Sequence, residues 1–265
     1  MCGIAGYSLS SGSSVDRTLA AQALLAGIAE RGADAVGYAH RGPGGLVSVH
    51  KQRSGASALL ERLQVPESAS QLLVHVRDYT KGHPTISVNN HPIRHGAVVG
   101  IHNGIVLNDD ELFAHHGLER AHPAMTVDSE AIFALVEASG GRTRALEELH
   151  GALATAWLDE RAPQTLFVAR GIGRPLWIGT SPEELFFAST RAALEVLEGV
   201  LRRRLRKREL GEGTLLRVED GRIAARDRFR PDRSYREETA LPAVRAPHEG
   251  AFCLERLAAI AAAAA

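Results

Sequence analysis

The alternation of apolar and polar residues along the chain predicts a protein built largely from short strands. Gln71–Arg77 alternates regularly, so that His75 and Arg77 share one face of a strand. Residues 97–105 are apolar on both faces, which is typical of a strand buried from two sides. An Asp-Gly pair at residues 220–221 indicates a hairpin turn. Further strands are predicted at residues 4–9, 36–40, 46–51, 152–158, 165–169, 176–179, 185–189, 214–218 and 222–225.

Helical periodicity appears before and between these strands. Asp16 is placed to cap a helix that runs to about residue 30, since Leu24 and Ile28 recur at helical spacing. Gly32 stands where a C-terminal cap belongs. Two more helices are predicted at residues 128–138 and 191–200. Many strands with helices before and between them predict an α+β fold in which helices cover stacked sheets.

The periodic pattern decays after about residue 226. The remaining sequence is charged, punctuated by prolines, and ends in a run of alanines. We therefore predict one domain over residues 1–226 and a C-terminal tail over residues 227–265. The tail has room for one terminal helix from His248.

Charge and composition indicate which kinds of partner and which cellular compartment to expect for the protein. Lysine plus arginine and aspartate plus glutamate both number 31, so no global field favours nucleic acid or a membrane surface. No run approaches the roughly 20 apolar residues that a membrane-spanning helix needs. Only two cysteines are present, Cys2 and Cys253, which fits a reducing, cytoplasmic location. The twelve histidines show no ligand spacing, so we expect no metal site.

One basic segment, RRRLRKR at residues 202–208, has two interpretations. It could bind a phosphate or an acidic partner through its positive charge. It could also form a solvated loop before the next strand. We favour the solvated loop.

Cys2 is the first residue that carries chemistry. If Met1 is removed, Cys2 becomes the N-terminus and carries a thiol nucleophile and a free amine on one residue. An α-amino group has a pKa of about 7.7–8.0 and can serve as the base near neutral pH. The alternative is a small buried hydrophobic residue at the start of a strand.

The segments that follow resemble those of one enzyme family. The opening CGIAG at residues 2–6 is similar to that of the class II glutamine amidotransferases, which are N-terminal nucleophile hydrolases. Four further segments resemble the family's motifs in the family's order: RGADAVG at 31–37, HVRDYTKG at 75–82, HNGI at 102–105 and DSE at 128–130. The resemblance extends over about residues 1–225. It implies a four-layer αββα sandwich of two mainly antiparallel sheets.

The resemblance assigns roles to individual residues. It makes Cys2 the nucleophile, and the Asn103 side-chain amide and Gly104 backbone N–H the oxyanion hole, in which Gly104 also contacts the substrate. Arg77 would bind the α-carboxylate of glutamine bidentately, as a planar guanidinium can, and Asp128 its α-ammonium group. The remaining residues so assigned are Thr80 in substrate binding and Arg31 and His102 in support.

Each of these residues also has an ordinary structural interpretation. Arg31 could interact with a helix dipole, and Arg77 could form a surface salt bridge. Asn103 and Gly104 could form a turn between strands. Asp128 could cap the helix that follows it.

The resemblance implies an enzyme that hydrolyses L-glutamine through a Cys2 γ-glutamyl thioester, without a metal or organic cofactor. Relatives fuse this domain to a domain that accepts the ammonia, and about 40 residues after the domain are too few for one. We therefore expect the acceptor on a separate subunit, and a homo-oligomer is left open.

Two departures from the family leave alternatives. Asp78 stands where synthase-type relatives carry a tryptophan that helps gate ammonia, and Lys81 where they often carry histidine. A stand-alone amidase acting on another γ-glutamyl compound is one alternative. A non-catalytic, glutamine-sensing regulatory subunit is the second. The third is a generic α+β protein in which the motifs are coincidental.

Overall fold

The computed structural model describes residues 2–237 and 242–263. Their centre consists of two sheets in which every pairing of neighbouring strands is antiparallel. The first sheet has seven strands, in spatial order β11 (Arg206–Glu209), β9 (Trp177–Thr180), β10 (Glu184–Ala188), β1 (Gly3–Leu9), β4 (Gln71–Arg77), β2 (Ala35–Arg41) and β3 (Val47–Gln52).

The second sheet lies face to face with the first. Its six strands, in spatial order, are β13 (Arg222–Arg228), β12 (Thr214–Glu219), β8 (Thr165–Arg170), β7 (Gly151–Asp159), β6 (Val98–Val106) and β5 (Ile93–His95). Ile4 and Leu73 from the first sheet and Val99 and Ile101 from the second belong to one buried apolar cluster. This cluster is the layer that joins the sheets.

Helices cover the outer face of each sheet. The first sheet is covered by α1 (Arg17–Ile28), α2 (Ser57–Leu60), α5 (Arg191–Leu201) and α6 (Pro247–Ala263). The second is covered by α3 (Asp109–His116) and α4 (Glu130–Ser139). Short 3-10 helices lie at Ala29–Arg31, Pro43–Gly45, Ser87–Asn89 and Thr143–Glu148. The predicted αββα sandwich is confirmed.

Most predicted elements are present, but the end of the first helix differs from the prediction. Asp16 caps α1 as expected, because its Oδ1 accepts the backbone N–H of Leu19 at 2.9 Å. Gly32 ends the 3-10 turn that follows α1, as its predicted cap position requires, but it is not a left-handed cap, since its φ is 179°. A Cβ atom at Gly32 would lie 2.4 Å from the carbonyl oxygen of Arg77. This glycine therefore permits close packing against the end of β4.

The solvated loop predicted at residues 202–208 is wrong in its second half. Residues 206–209 form the edge strand β11, which pairs with β9. Lys207 also forms an ion pair with Glu198 of α5.

Strand β5 was not predicted from the sequence. It has only three residues, which are too few to give a periodic signal.

The C-terminal helix is confirmed and begins at Pro247. Its Cys253 and Leu257 are buried in the same cluster as Leu24 and Leu25 of α1. The domain boundary near residue 226 stays a prediction. None of the described helices is both long and apolar enough to cross a membrane.

Candidate active site

The residues predicted to act on glutamine lie at one end of the sandwich, where β1 and β4 approach β6. The antiparallel register pairs Gly3 with Val76, which brings Cys2 beside Arg77. Across the sheets, His75 Nε2 donates a hydrogen bond to the carbonyl oxygen of His102 at 3.1 Å. Three strands that are distant in sequence thus meet at this site.

Cys2 is held by two hydrogen bonds, one through its backbone carbonyl and one through its side chain. Its carbonyl oxygen accepts a hydrogen bond from Arg31 Nε at 2.9 Å. Its Sγ donates to the carbonyl oxygen of Asp78 at 3.5 Å. Burial raises the pKa of the thiol, while the Arg77 guanidinium lowers it. The resting side chain is therefore a protonated thiol. Met1, whose removal the sequence predicts, lies outside the described residues.

Arg31 is buried within the 3-10 turn that follows α1. Its Nε bonds the carbonyl of Cys2, so Arg31 contacts the predicted nucleophile and not only the end of the helix. One of its terminal nitrogens has no hydrogen-bond partner among the described residues.

Arg77 is not the surface salt-bridge residue of the alternative interpretation, since only 2% of it is exposed. Its Nη1 donates to Asn90 Oδ1. Its Nη2 donates to the carbonyl oxygens of Lys81, at 2.9 Å, and Gly82. Burial lowers the pKa of Arg77, and the charges of Cys2 and Asp128 act in the opposite direction. The guanidinium is therefore oriented by the segment that follows β4.

That segment also carries Thr80 and Lys81. Thr80 is exposed. The Lys81 ammonium pairs with Asp109 at 2.7 Å and Asp110 at 3.1 Å, both at the start of α3. Arg120 reaches the same two carboxylates, so the segment is tied to α3 by a small ion-pair network.

Asn103 and Gly104 lie inside β6 and not in an exposed turn. Asn103 is fully buried, and both of its side-chain polar atoms are without a partner among the described residues. Gly104 has a φ of 155°, and a Cβ atom there would lie 1.9 Å from the carbonyl oxygen of Ala152. Only glycine fits this position. The Asn103 amide, whose donor has no partner among the described residues, is thus followed by a glycine in a backbone conformation that other residues rarely adopt.

His102 supports this strand from its other face. Its Nδ1 accepts from the Ser129 hydroxyl at 2.9 Å, and its Nε2 donates to the carbonyl of Ala152 at 3.2 Å. Burial lowers the pKa of His102 to about 4. The imidazole is therefore neutral near pH 7, and both of its nitrogens are engaged in positioning β6.

Asp128 does not cap α4. Its Oδ2 accepts the backbone N–H of Val106 at the end of β6, at 2.7 Å, and Ser129 occupies the cap position. Burial raises the pKa of Asp128 to about 6, the Val106 N–H lowers it, and the charge of Asp109 raises it. Asp128 is thus a buried carboxylate that a cationic group would stabilise.

Two supporting residues were missed in the sequence. Asn90 orients Arg77, and Lys51 in turn donates to the Asn90 carbonyl at 2.9 Å. Burial lowers the pKa of Lys51 to about 8. The only sequence signal near them is the turn-like Asn-Asn-His-Pro at residues 89–92, which does not reveal what these side chains contact.

Comparison with known proteins supplies the family. Residues 83–196, which include the buried Asn103 and the Asp128 carboxylate, match the family model described as "Glutamine amidotransferase domain". The chain carries a glutamine amidotransferase domain. This domain is 32% identical over 206 residues to glutamine–fructose-6-phosphate aminotransferase (isomerizing) of Escherichia coli K12, a match that covers 73% of the chain. The enzyme of the same name from Aliivibrio fischeri is 35% identical over 130 residues, which are 46% of the chain and 21% of that enzyme.

The matched segment covers 32%, about a third, of the length of the E. coli relative. Among solved structures, the glutamine phosphoribosylpyrophosphate amidotransferase of Bacillus subtilis, in complex with ADP and GMP, superposes on 86% of the chain and 49% of its own length. The TM-score is 0.67 at 20% sequence identity, which shows a shared fold. The amidotransferase domain thus shares the fold of that solved amidotransferase.

Proposed function

We propose that this chain hydrolyses L-glutamine to glutamate and ammonia through a γ-glutamyl thioester on Cys2. The observation that carries the proposal is the amide of Asn103, which is buried without a partner among residues 2–237 and 242–263 and lies at the same end of the sandwich as the thiol. Leaving such an amide buried without a partner costs roughly 1–3 kcal/mol. A developing oxyanion would supply the missing partner.

The free amino acid would be held at its two charged groups. Arg77 presents a guanidinium fixed by Asn90 and by the carbonyls of residues 81–82, and it would bind the α-carboxylate. Asp128 would pair with the α-ammonium group, with Thr80 at the exposed rim. Holding both ends places the side-chain amide in reach of the nucleophile, which lowers the entropic part of the barrier.

The chemical steps then follow in order. With Met1 removed, the α-amine of Cys2 accepts the thiol proton, and the sulfur attacks the amide carbon. The Asn103 amide and the Gly104 N–H stabilise the negative charge on oxygen. The C–N bond breaks, ammonia leaves with the transferred proton, and a thioester remains. Water then attacks the thioester and releases glutamate and the free thiol. No step requires a metal or an organic cofactor.

Replacing the nucleophile tests this proposal. Cys2→Ala should lose glutamate release from glutamine while its circular dichroism spectrum and its melting temperature remain those of the wild type. Cys253→Ala is the matched control, because that thiol belongs to α6 and is buried in the core. Wild-type turnover by Cys2→Ala would refute the assignment. Binding of glutamine by the wild type without any hydrolysis would favour a sensing subunit instead.

We further propose that the ammonia passes to an acceptor on a separate subunit in the cytoplasm. In support of an acceptor, the E. coli relative is named an aminotransferase, an enzyme that transfers nitrogen to a second molecule. Affinity purification of the tagged chain should recover a stable partner. Its addition should raise glutamine turnover. Faster hydrolysis of γ-glutamyl conjugates than of glutamine, with no partner recovered, would favour a stand-alone amidase.

A further inference from the structure

Asp78 links the C-terminal part of the chain to the thiol of Cys2. The backbone carbonyl of Asp78 accepts the hydrogen bond from Cys2 Sγ at 3.5 Å. The carboxylate of the same residue forms an ion pair with Arg245 Nε at 3.1 Å. Asp78 stands at a position where the sequence differs from the motif of synthase-type amidotransferases. The partner of its carboxylate comes from outside the segment that resembles the family.

The segment around Arg245 is fixed at a second point near Cys2. The backbone N–H groups of Arg245 and Ala246 both donate to the carbonyl oxygen of Glu30 at 2.8 Å. Glu30 precedes Arg31, whose Nε holds the carbonyl of Cys2. The segment therefore contacts Asp78, whose carbonyl bonds the Cys2 thiol, and Glu30, which precedes the Arg31 that bonds the Cys2 carbonyl.

The start of α6 anchors this segment. The Glu249 carboxylate accepts hydrogen bonds from the backbone N–H and the hydroxyl of Ser57, both at 2.8 Å. Further along the helix, Cys253 and Leu257 are buried in the core. Arg245 thus extends from a fixed support, although 41% of its side chain is exposed.

We propose that Arg245 is a positioning residue for the Cys2 nucleophile and acts through Asp78. The ion pair holds the peptide whose carbonyl orients the thiol, and it offsets a negative charge beside the sulfur. The inference rests on the proposed function of Cys2. It adds a residue from the predicted tail to the glutamine site.

The charged groups around the thiol predict the direction in which Arg245 shifts the pKa of Cys2. Burial is the main cause that raises the pKa of Cys2. Among the charges, the N-terminal amine and Arg77 lower this pKa and the Asp78 carboxylate raises it, while Arg31 lies on the carbonyl side of the residue. Arg245 is paired with that carboxylate. Loss of Arg245 should therefore reduce the fraction of thiolate, which is the reactive form.

The test measures the rate at which iodoacetamide alkylates Cys2 as a function of pH, resolved by peptide mapping. The four full-length variants are Arg245→Ala, Arg245→Lys, Arg245→Ala with Asp78→Asn, and Arg256→Ala. The last is the matched control, because Arg256 of α6 forms an exposed ion pair with Glu61, which follows α2.

Arg245→Ala should slow alkylation about three- to tenfold at pH 7, equivalent to a thiol pKa higher by roughly half to one unit. Its glutaminase kcat should fall in proportion, with less change in KM. Arg245→Lys should retain most of the wild-type rate. Addition of Asp78→Asn should restore the rate, because it removes the negative charge and keeps the backbone carbonyl. Arg256→Ala should match the wild type.

Two results would overturn the inference. One is an Arg245→Ala profile equal to that of the wild type. The other is a slower profile that Asp78→Asn does not restore, which would indicate a structural effect alone. Alkylation does not depend on glutamine, so an absence of glutamine hydrolysis in the wild type would refute the proposed function and still leave this readout.

Discussion

At the residue scale, Asn103 is a polar side chain in an environment that satisfies none of its hydrogen-bonding groups among the described residues. Its amide is fully buried in β6 and makes no hydrogen bond among the described residues. A residue retained only for packing would not need these polar atoms. The motif around Asn103 is contiguous, so its resemblance to the family could be seen in the sequence. The burial that gives the amide its significance could not, because it depends on strands from both sheets.

Asn103→Ala should therefore lower kcat for glutamine hydrolysis about 10²–10³-fold, the usual effect of losing one oxyanion donor. KM should change little, because the donor acts on charge that develops in the transition state. The free energy of unfolding should not fall by more than about 1 kcal/mol, since the Asn103 side chain has no hydrogen bond to lose among the described residues. Steady-state kinetics and urea denaturation measure the two quantities. A rise in KM at constant kcat would contradict the proposed role.

The proposed contact of Asp128 with the α-ammonium group predicts that glutamine binding depends on pH. Its pKa is raised by burial to about 6, so the carboxylate becomes protonated as the pH falls through that value. Glutamine keeps both of its α-charges across this range. Titration calorimetry on Cys2→Ala should show a Kd about tenfold weaker at pH 5 than at pH 7. Asp128→Asn should bind weakly, with no such dependence. An unchanged profile in Asp128→Asn would contradict the assignment.

The contribution of Asp128 to the stability of the free protein has the opposite sign, and it is offset over the same pH range by the buried His102, whose pKa burial lowers to about 4. Because the folded pKa of Asp128 lies above the ordinary carboxyl value of 3.8, the folded state binds the proton more tightly than the unfolded state does. This residue therefore adds stability as the pH falls from about 6 toward 4. The same group thus favours binding at neutral pH and folding at acidic pH.

At the element scale, the segment after β4 determines how Arg77 is presented. The carbonyls of Lys81 and Gly82 accept from the guanidinium, and the Lys81 ammonium ties the segment to Asp109 and Asp110 of α3. The sequence identified Lys81 only as a departure from the family. Its partners lie on a helix that was not predicted, and a sequence pattern cannot specify such contacts.

Lys81→Ala should loosen this segment and raise KM for glutamine about three- to tenfold, since the network is partly exposed and worth about 1 kcal/mol. The value of kcat should change less than KM. Lys207→Ala is the control, because Lys207 also loses an ion pair, with Glu198, but lies on the edge strand β11. Equal KM values for the two variants would argue against the tether.

At the scale of the whole molecule, residues that are far apart in sequence form single layers. β1 pairs with β10 on one side and β4 on the other, and α6 packs beside α1. Periodicity predicted most of the strands and the longer helices. The order of strands in each sheet was not available from periodicity, because pairing depends on contacts across the chain. The four-layer arrangement was expected from the family resemblance alone.

The contribution of α6 to the core can be measured with two leucines of the same helix. Leu257 is 2% exposed and Leu254 is 43% exposed. Leu257→Ala should lower the free energy of unfolding by about 2–4 kcal/mol, as for a buried leucine. Leu254→Ala should change it by less than about 1 kcal/mol. Equal, small effects in urea denaturation would indicate that the C-terminal segment is a detachable tail.

The most direct test of the central claim is intact-mass spectrometry of the full chain after treatment with a diazoketone analogue of glutamine. We expect a mass that lacks Met1 and carries a single adduct, mapped to Cys2 and suppressed by excess glutamine. The adduct should be absent from Cys2→Ala and present in Cys253→Ala. A retained Met1, an adduct elsewhere, or continued glutamine hydrolysis by a chain that carries no adduct would contradict the account.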